Sequence, residues 1–120
     1  MPGAGDVWST VDDLARYTAA FNGGQILDPR SRQAMCTPHA PVPAGWAAAD
    51  LLIGESYGYG YALGTVAGRP ARFHPGDNPG YLAVHLWLPD HDIVIVLLSN
   101  DETSPAESVL QQLVSAALDR

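Results

Sequence analysis

His74-Pro75-Gly76-Asp77-Asn78-Pro79-Gly80-Tyr81 and the run behind it, Leu82-Ala83-Val84-His85-Leu86-Trp87-Leu88-Pro89-Asp90-His91-Asp92, decide the fold. The first eight residues hold two prolines and two glycines, which restrict and free the backbone in turn, so they are expected to form a loop. In the run that follows, Leu82, Val84, Leu86 and Leu88 alternate with Tyr81, Ala83, His85 and Trp87, the period of a strand covered on both faces. Pro89 to Asp92 suits an antiparallel hairpin connection. Ile93-Val94-Ile95-Val96-Leu97-Leu98 then has no polar face, which predicts a strand in the middle of a sheet.

Upstream, Arg69 to Phe73 reads as a short strand entering the His74 loop, after a turn at Thr65 to Gly68. Tyr57-Gly58-Tyr59-Gly60-Tyr61 alternates with period two, predicting three tyrosines on one strand face and glycines on the other, where something approaches the backbone closely. From Thr37 to Ser56 the prolines Pro38, Pro41 and Pro43, with an alanine-rich patch, predict a long loop, a sign of a missing partner or a site rim. Ser9-Thr10 followed by Asp12-Asp13 caps a first helix whose stripe is Val11, Leu14, Ala15, Thr18 and Phe21, closed by Asn22-Gly23-Gly24. Asp28-Pro29 starts a second, to about Met35 or Cys36, whose Arg30 and Arg32 are expected to face solvent. Downstream, Ser104-Pro105-Ala106-Glu107 has the form of a capping box, and Leu110, Leu113, Val114 and Ala117 form the stripe of a helix packed on the sheet. The class is α+β, an antiparallel sheet with flanking helices. Residues 1–56 read as a helical segment and loop, and residues 57–120 as antiparallel strands plus a C-terminal helix.

At 120 residues with a net charge of −7, the chain has one-domain length and no electrostatic footprint for nucleic acid. The longest apolar run, Ile93 to Leu98, is too short to cross a bilayer, and Met1 to Asp6 has neither the basic segment nor the apolar run of a signal peptide. Cys36 is the one cysteine and reads as a small buried thiol. The basic residues are Arg16, Arg30, Arg32, Arg69, Arg72 and Arg120, so no lysine is present. Mechanisms needing a lysine base, a Schiff base or a P-loop lysine are therefore excluded within these residues.

From spacing alone, His74 and Asp77 could bring an imidazole and a carboxylate together at a loop mouth; the competing reading is a histidine bonded to local backbone in a tight turn. Asp90-His91-Asp92 reads as a solvated hairpin tip and not a metal cluster, and no cofactor is expected. The tyrosine ladder reads as packing. His39 and His85 have no partner that the residues identify.

In order, Tyr57 to Tyr61, His74-Pro75-Gly76 with Pro79-Gly80-Tyr81, Leu88-Pro89-Asp90, and Ile93 to Leu98 closing on Ser99-Asn100 resemble the C-terminal section of the serine β-lactamase-like family. That family includes class C β-lactamases, penicillin-binding DD-peptidases and related esterases. Ser9 to Arg16, Asn22-Gly23-Gly24 and Leu27 to Met35 with Thr37-Pro38 resemble its preceding helical segment. The resemblance covers nearly all of this chain and about the last third of the family's catalytic domain. It implies a partial β-lactamase/transpeptidase-like fold that lacks the N-terminal strands and much of the helical subdomain.

By that resemblance His74-Pro75-Gly76 stands at the family's third motif, Lys-Thr-Gly or His-x-Gly. His74 would supply a polar or positive group beside the substrate's carboxylate or the catalytic hydroxyls. The backbone N–H of Asp77 would form half of the oxyanion hole, a preorganised donor of the kind acyl transfer needs. Pro75 replaces a Ser or Thr, which removes one hydroxyl contact and disfavours carboxylate-bearing β-lactams. The family's nucleophile lies in Ser-x-x-Lys, which cannot occur where lysine is absent, so the chain alone is not expected to be active. In such a fragment Ile93 to Leu98 would lose a neighbouring strand and expose an apolar edge to pairing with another chain. The expectation is thus the C-terminal part of a serine hydrolase acting on a β-lactam, D-amino-acid peptide or ester only in the intact protein. The alternatives are a catalytically silent module self-associating through that sheet edge, and an unrelated small enzyme using His74 with Asp77.

Overall fold

The computed structural model describes residues 2–42 and 51–119. Helices α1 (Val11–Asn22) and α2 (Pro29–Met35) precede strands β1 (Ala40–Pro41), β2 (Leu52–Tyr57), β3 (Ala62–Val66), β4 (Arg69–Asn78) and β5 (Tyr81–Leu88). A 3-10 turn at Pro89–His91, β6 (Ile93–Ser99) and α3 (Ala106–Leu118) complete the chain. The strands form one antiparallel sheet in chain order from β1 to β6.

Two tight turns set its register. Ala67 and Gly68 both lie at positive φ, 48° and 76°, as a type I′ turn requires, and close the pair Val66 with Arg69. Pro79-Gly80, with Gly80 at φ 85°, closes Asn78 with Tyr81. The pair flanking such a turn exchanges both backbone hydrogen bonds, and bonded and non-bonded pairs then alternate. Arg69, Ala71 and Phe73 therefore bond to β3, whereas Arg72, His74, Gly76 and Asn78 bond to β5.

This alternation overturns the expected loop at His74 to Tyr81. Residues 74–78 continue β4, and only Pro79-Gly80 turn. Pro75 does not break the strand because its nitrogen faces the β3 side, beyond the last β3 partner, Ala62 with Phe73. Pro70 is tolerated for the mirror reason, since pairing with β5 begins only at Arg72. Asp77 shares the direction of Pro75, so its N–H points to the open side of the sheet past the end of β3.

Side chains on the two faces meet different helices. Leu52, Val66, Ala71, Phe73, Leu86, Leu88, Ile95 and Leu97 form a core with Leu110 and Val114 of α3. On the opposite face, Phe21 of α1 packs edge-on against Trp87 at 6.4 Å and, tilted, against Tyr61 at 6.1 Å. Both faces of β5 are covered, as its alternation predicts. Strand β6 is apolar as expected but lies at the sheet's edge, and its second neighbour is absent among the described residues.

Several local expectations hold and others fail. Thr10 accepts from the Asp13 N–H at 3.1 Å and Asp28 from the Ser31 N–H at 2.7 Å, as their helix-start signals predict. Ser104 does not cap α3; Pro105 is its N-cap residue and no side chain caps it, while the Ser104 Oγ is buried without a partner. Val11, Ala15 and Leu113 are exposed despite lying on the predicted stripes.

The expected loop from Thr37 to Ser56 contains β1 and the start of β2, so strands begin before residue 57; Pro43 and the alanine-rich patch lie outside the described residues. The tyrosines do not share a face, because β2 ends at Tyr57 and residues 58–61 link it to β3. Tyr57 is half-buried, Tyr59 is exposed and stacks on His39 at 4.1 Å, and Tyr61 is buried. The expected close approach does occur at Gly58, where an added Cβ would lie 2.1 Å from the Met35 carbonyl oxygen.

Proline substitution reads the direction of the β4 backbone. Gly76→Pro removes a ladder bond and crowds Ala83, whose Cβ is already 3.2 Å from the place a Gly76 Cβ would take. Asp77→Pro removes a donor that bonds neither neighbour. In urea melts followed by circular dichroism, Gly76→Pro is expected to destabilise the chain by about 1–3 kcal/mol more than Asp77→Pro.

Candidate functional site

The cross-strand pair His74 with His85 lies four positions from the Asn78–Tyr81 closure on each strand. On the same face follow Gly76 beside Ala83 and Asn78 beside Tyr81. This strip is half-buried at the histidines and open at Gly76. At its tip the Asn78 Nδ2 donates to the Gly5 carbonyl at 3.2 Å and Trp8 meets Tyr81 edge-on at 5.7 Å, so the N-terminal segment lies against the hairpin end.

The His74 Nδ1 is 2.6 Å from the carbonyl oxygen of Pro75. A carbonyl only accepts, so Nδ1 carries the proton and Nε2 is the basic nitrogen of the neutral ring. That local backbone bond was one of the two readings open for His74. The other, an imidazole set against the Asp77 carboxylate, fails because positions three apart on a strand point to opposite faces. The independent His74/Asp77 enzyme falls with it. The Tyr57 ring meets His74 edge-on, with centroids 6.1 Å apart.

His85 is tied to the helical layer. Its Nε2 lies 2.6 Å from the Thr18 Oγ1, which also stands 3.0 Å from the Leu14 carbonyl. Thr18 donates to Leu14, so the neutral His85 donates from Nε2 to Thr18. Burial, aided by the nearby His74, holds the His85 pKa below the ordinary imidazole value. Burial also raises Tyr61 to about 12 and raises the Cys36 thiol, which is half-buried. Neither is an ionised nucleophile at neutral pH.

Of the residues singled out from sequence, His74 is half-buried in β4, while Gly76 and Asp77 are exposed on the same strand. His85 is the site residue that the sequence reading left without a partner. Counting outward from a two-residue turn at Pro79-Gly80 would have placed it opposite His74; expecting a longer loop there concealed the pair. Asp90, His91 and Asp92 are exposed, and no group of three or more His, Cys, Asp or Glu that could hold a metal ion occurs among the described residues. No helix among them is long and apolar enough to cross a membrane.

The beta-lactamase family model matches residues 1–118, and the chain belongs to that family. Among solved structures it is similar to a penicillin binding protein from Bacillus halodurans, with a TM-score of 0.68 and 19% identity over 87% of this chain and 30% of that one. It is also similar to the D-amino acid amidase from Ochrobactrum anthropi SV3, with a TM-score of 0.67 and 20% identity over 87% of this chain and 36% of that one. The octameric penicillin-binding protein homologue from Pyrococcus abyssi has a TM-score of 0.69 and 27% identity over 89% of this chain and 24% of that one. The chain thus spans a quarter to just over a third of each of these proteins. No curated protein matches it in sequence.

The depressed His85 pKa makes stability depend on pH in a defined direction. As pH falls, the unfolded chain takes up this proton first, so the contribution is full above about pH 6.5 and is lost below it. Between about pH 7.5 and about pH 5.5, which bracket that imidazole value, the wild-type melting temperature is expected to fall more than that of His85→Gln. Thermal melts of the two proteins measure the difference.

Proposed function

We propose that this chain forms one wall of the acyl-transfer site of a serine hydrolase, with the nucleophile supplied by residues outside these 120. The observation that carries the reading is the direction of the Asp77 N–H, aimed past the end of β3 on an exposed strand. A donor fixed by a strand stabilises a developing oxyanion without reorganising. His74 acts beside it as a supporting polar group, its ring oriented by the Pro75 carbonyl. Gly76 keeps the strip between them free of side chain. The substrate class is a β-lactam, a D-amino-acid peptide or an ester, with Pro75 making carboxylate-bearing β-lactams the least suited. The D-amino acid amidase among the structural relatives agrees with an amide or ester carbonyl as the reacting group.

Because lysine is absent, the chain alone is expected to hydrolyse neither nitrocefin nor p-nitrophenyl esters above background. Joined to a family N-terminal portion bearing Ser-x-x-Lys, it should gain esterase activity. In that protein Asp77→Pro should lower kcat about 10²–10³-fold, the usual cost of one oxyanion donor, while Asp77→Ala, which keeps the N–H, should not. Turnover by the isolated chain, or equal rates for the two variants, would remove the reading.

A second reading is favoured by β6, an apolar strand with one paired edge: the chain self-associates by strand addition there. Sedimentation at several concentrations is expected to show association that Val96→Pro abolishes. A monomer at every concentration would exclude it.

A further inference from the structure

Beyond Phe73, β4 has lost its β3 neighbour, so the stretch that carries Asp77 pairs with β5 alone and ends in the turn Pro79-Gly80. Proline keeps φ at about −65° at the first turn position, so with Gly80 at φ 85° the turn has the type II pattern. Two-residue hairpins favour types I′ and II′, whose twist matches the strands, whereas a type II turn splays them. The turn therefore sets the register of this hairpin end without fixing its direction.

A side chain from another part of the chain reaches it. The Gly80 N–H, which the closing pair Asn78–Tyr81 leaves unused, donates to the Glu102 Oε2 at 2.9 Å. A carboxylate accepting from a backbone N–H makes a charge-assisted bond, stronger than a neutral one. Glu102 lies in the connection from β6 to α3, and that connection is braced on both sides of it. The Asp101 N–H donates to the Ser99 Oγ at 3.1 Å, and the Ser104 N–H donates to the Asp101 carbonyl at 3.1 Å. The Thr103 N–H and hydroxyl both donate to the Asp101 Oδ1, at 2.9 and 2.6 Å. The carboxylate is thus carried on a loop with its own hydrogen bonds, and it holds the turn that follows Asp77.

We infer that Glu102 is a positioning residue for the acyl-transfer wall, its carboxylate holding the Pro79-Gly80 turn so that the Asp77 N–H keeps one direction. For its chemical consequence the inference rests on the acyl-transfer reading; for its mechanical one it rests on the Gly80 bond. Glu102 acts through the turn and not on substrate. An oxyanion donor works by being in place before the charge develops, and a misplacement of about 1 Å can cost about 10²-fold in rate. Loss of the tether leaves the donor present but free to swing, so it is expected to cost less than loss of the donor itself.

In the 120-residue chain, ¹⁵N relaxation of the Asp77 and Gly80 amides reads the tether directly. Glu102→Ala is expected to lower their order parameters from about 0.85 toward about 0.6, while Glu102→Gln, whose amide oxygen still accepts, keeps them. Thr10→Ala, which removes the α1 cap and lowers the melting temperature, is expected to leave both amides as they are, which separates the tether from general loosening. In the protein joined to a Ser-x-x-Lys portion, Glu102→Ala should lower kcat about tenfold with KM little changed, and Glu102→Gln should restore it. Unchanged order at Asp77 in Glu102→Ala overturns the inference, as does a wild-type kcat for Glu102→Ala in a joined protein that Asp77→Pro impairs. Equal rates for Asp77→Pro and Asp77→Ala overturn the role in acyl transfer together with that reading, and the relaxation data then decide the tether alone.

Discussion

The register of β4 between its two tight turns is the constraint on which the rest of this structure depends. Ala67-Gly68 and Pro79-Gly80 each close a hairpin with two residues, and both assign the same alternate set of β4 peptide groups to β3 and the other set to β5. Because the two turns agree, β4 cannot slip by one residue without breaking both ladders. The prolines at 70 and 75 fit only in this register, each with its nitrogen turned toward a side where the neighbouring strand has ended. The direction of the Asp77 N–H and the meeting of His74 with His85 follow from the same closure.

Features encoded by local periodicity or capping were readable in the residues. The two faces of β5, the apolar β6, the starts of α1 and α2 and the antiparallel α+β class belong to that group. What escaped had a competing local signal. Two Pro and two Gly within eight residues have the composition of a loop, yet only Pro79-Gly80 turns, because a proline costs a strand nothing where no partner awaits its N–H. The tyrosine alternation mimics a strand, but Gly58 lies under the Met35 carbonyl and Gly60 takes φ 81°, which bends the segment into a connection. Ser104 has the sequence of a cap without its hydrogen bond.

Of the candidate site, His74, Gly76 and Asp77 could be named from sequence, but their relations could not. Placing His74 and Asp77 on one strand separates the side chains that spacing had seemed to unite, and leaves the backbone N–H, the group the family resemblance had already singled out, as the part of Asp77 to test. Arg32 shows the opposite failure. On a seven-residue helix an arginine reads as a solvated face, but this one reaches the carbonyl at the end of α1, a contact that only the packing of two helices creates. Long-range pairings of this kind leave no period in the sequence.

Helix α1 is what ties these placements together. Thr18 holds His85 within the strip that carries His74, and Phe21 and Asn22, one turn further on, lie beside Arg32 and Trp87. His85 and Trp87 are two residues apart on one face of β5, so α1 runs along the strand and grips both. Burial holds the His85 pKa below the ordinary imidazole value, and its ring meets the Thr18 hydroxyl. One helix thus sets both the ring opposite His74 and the packing around Trp87.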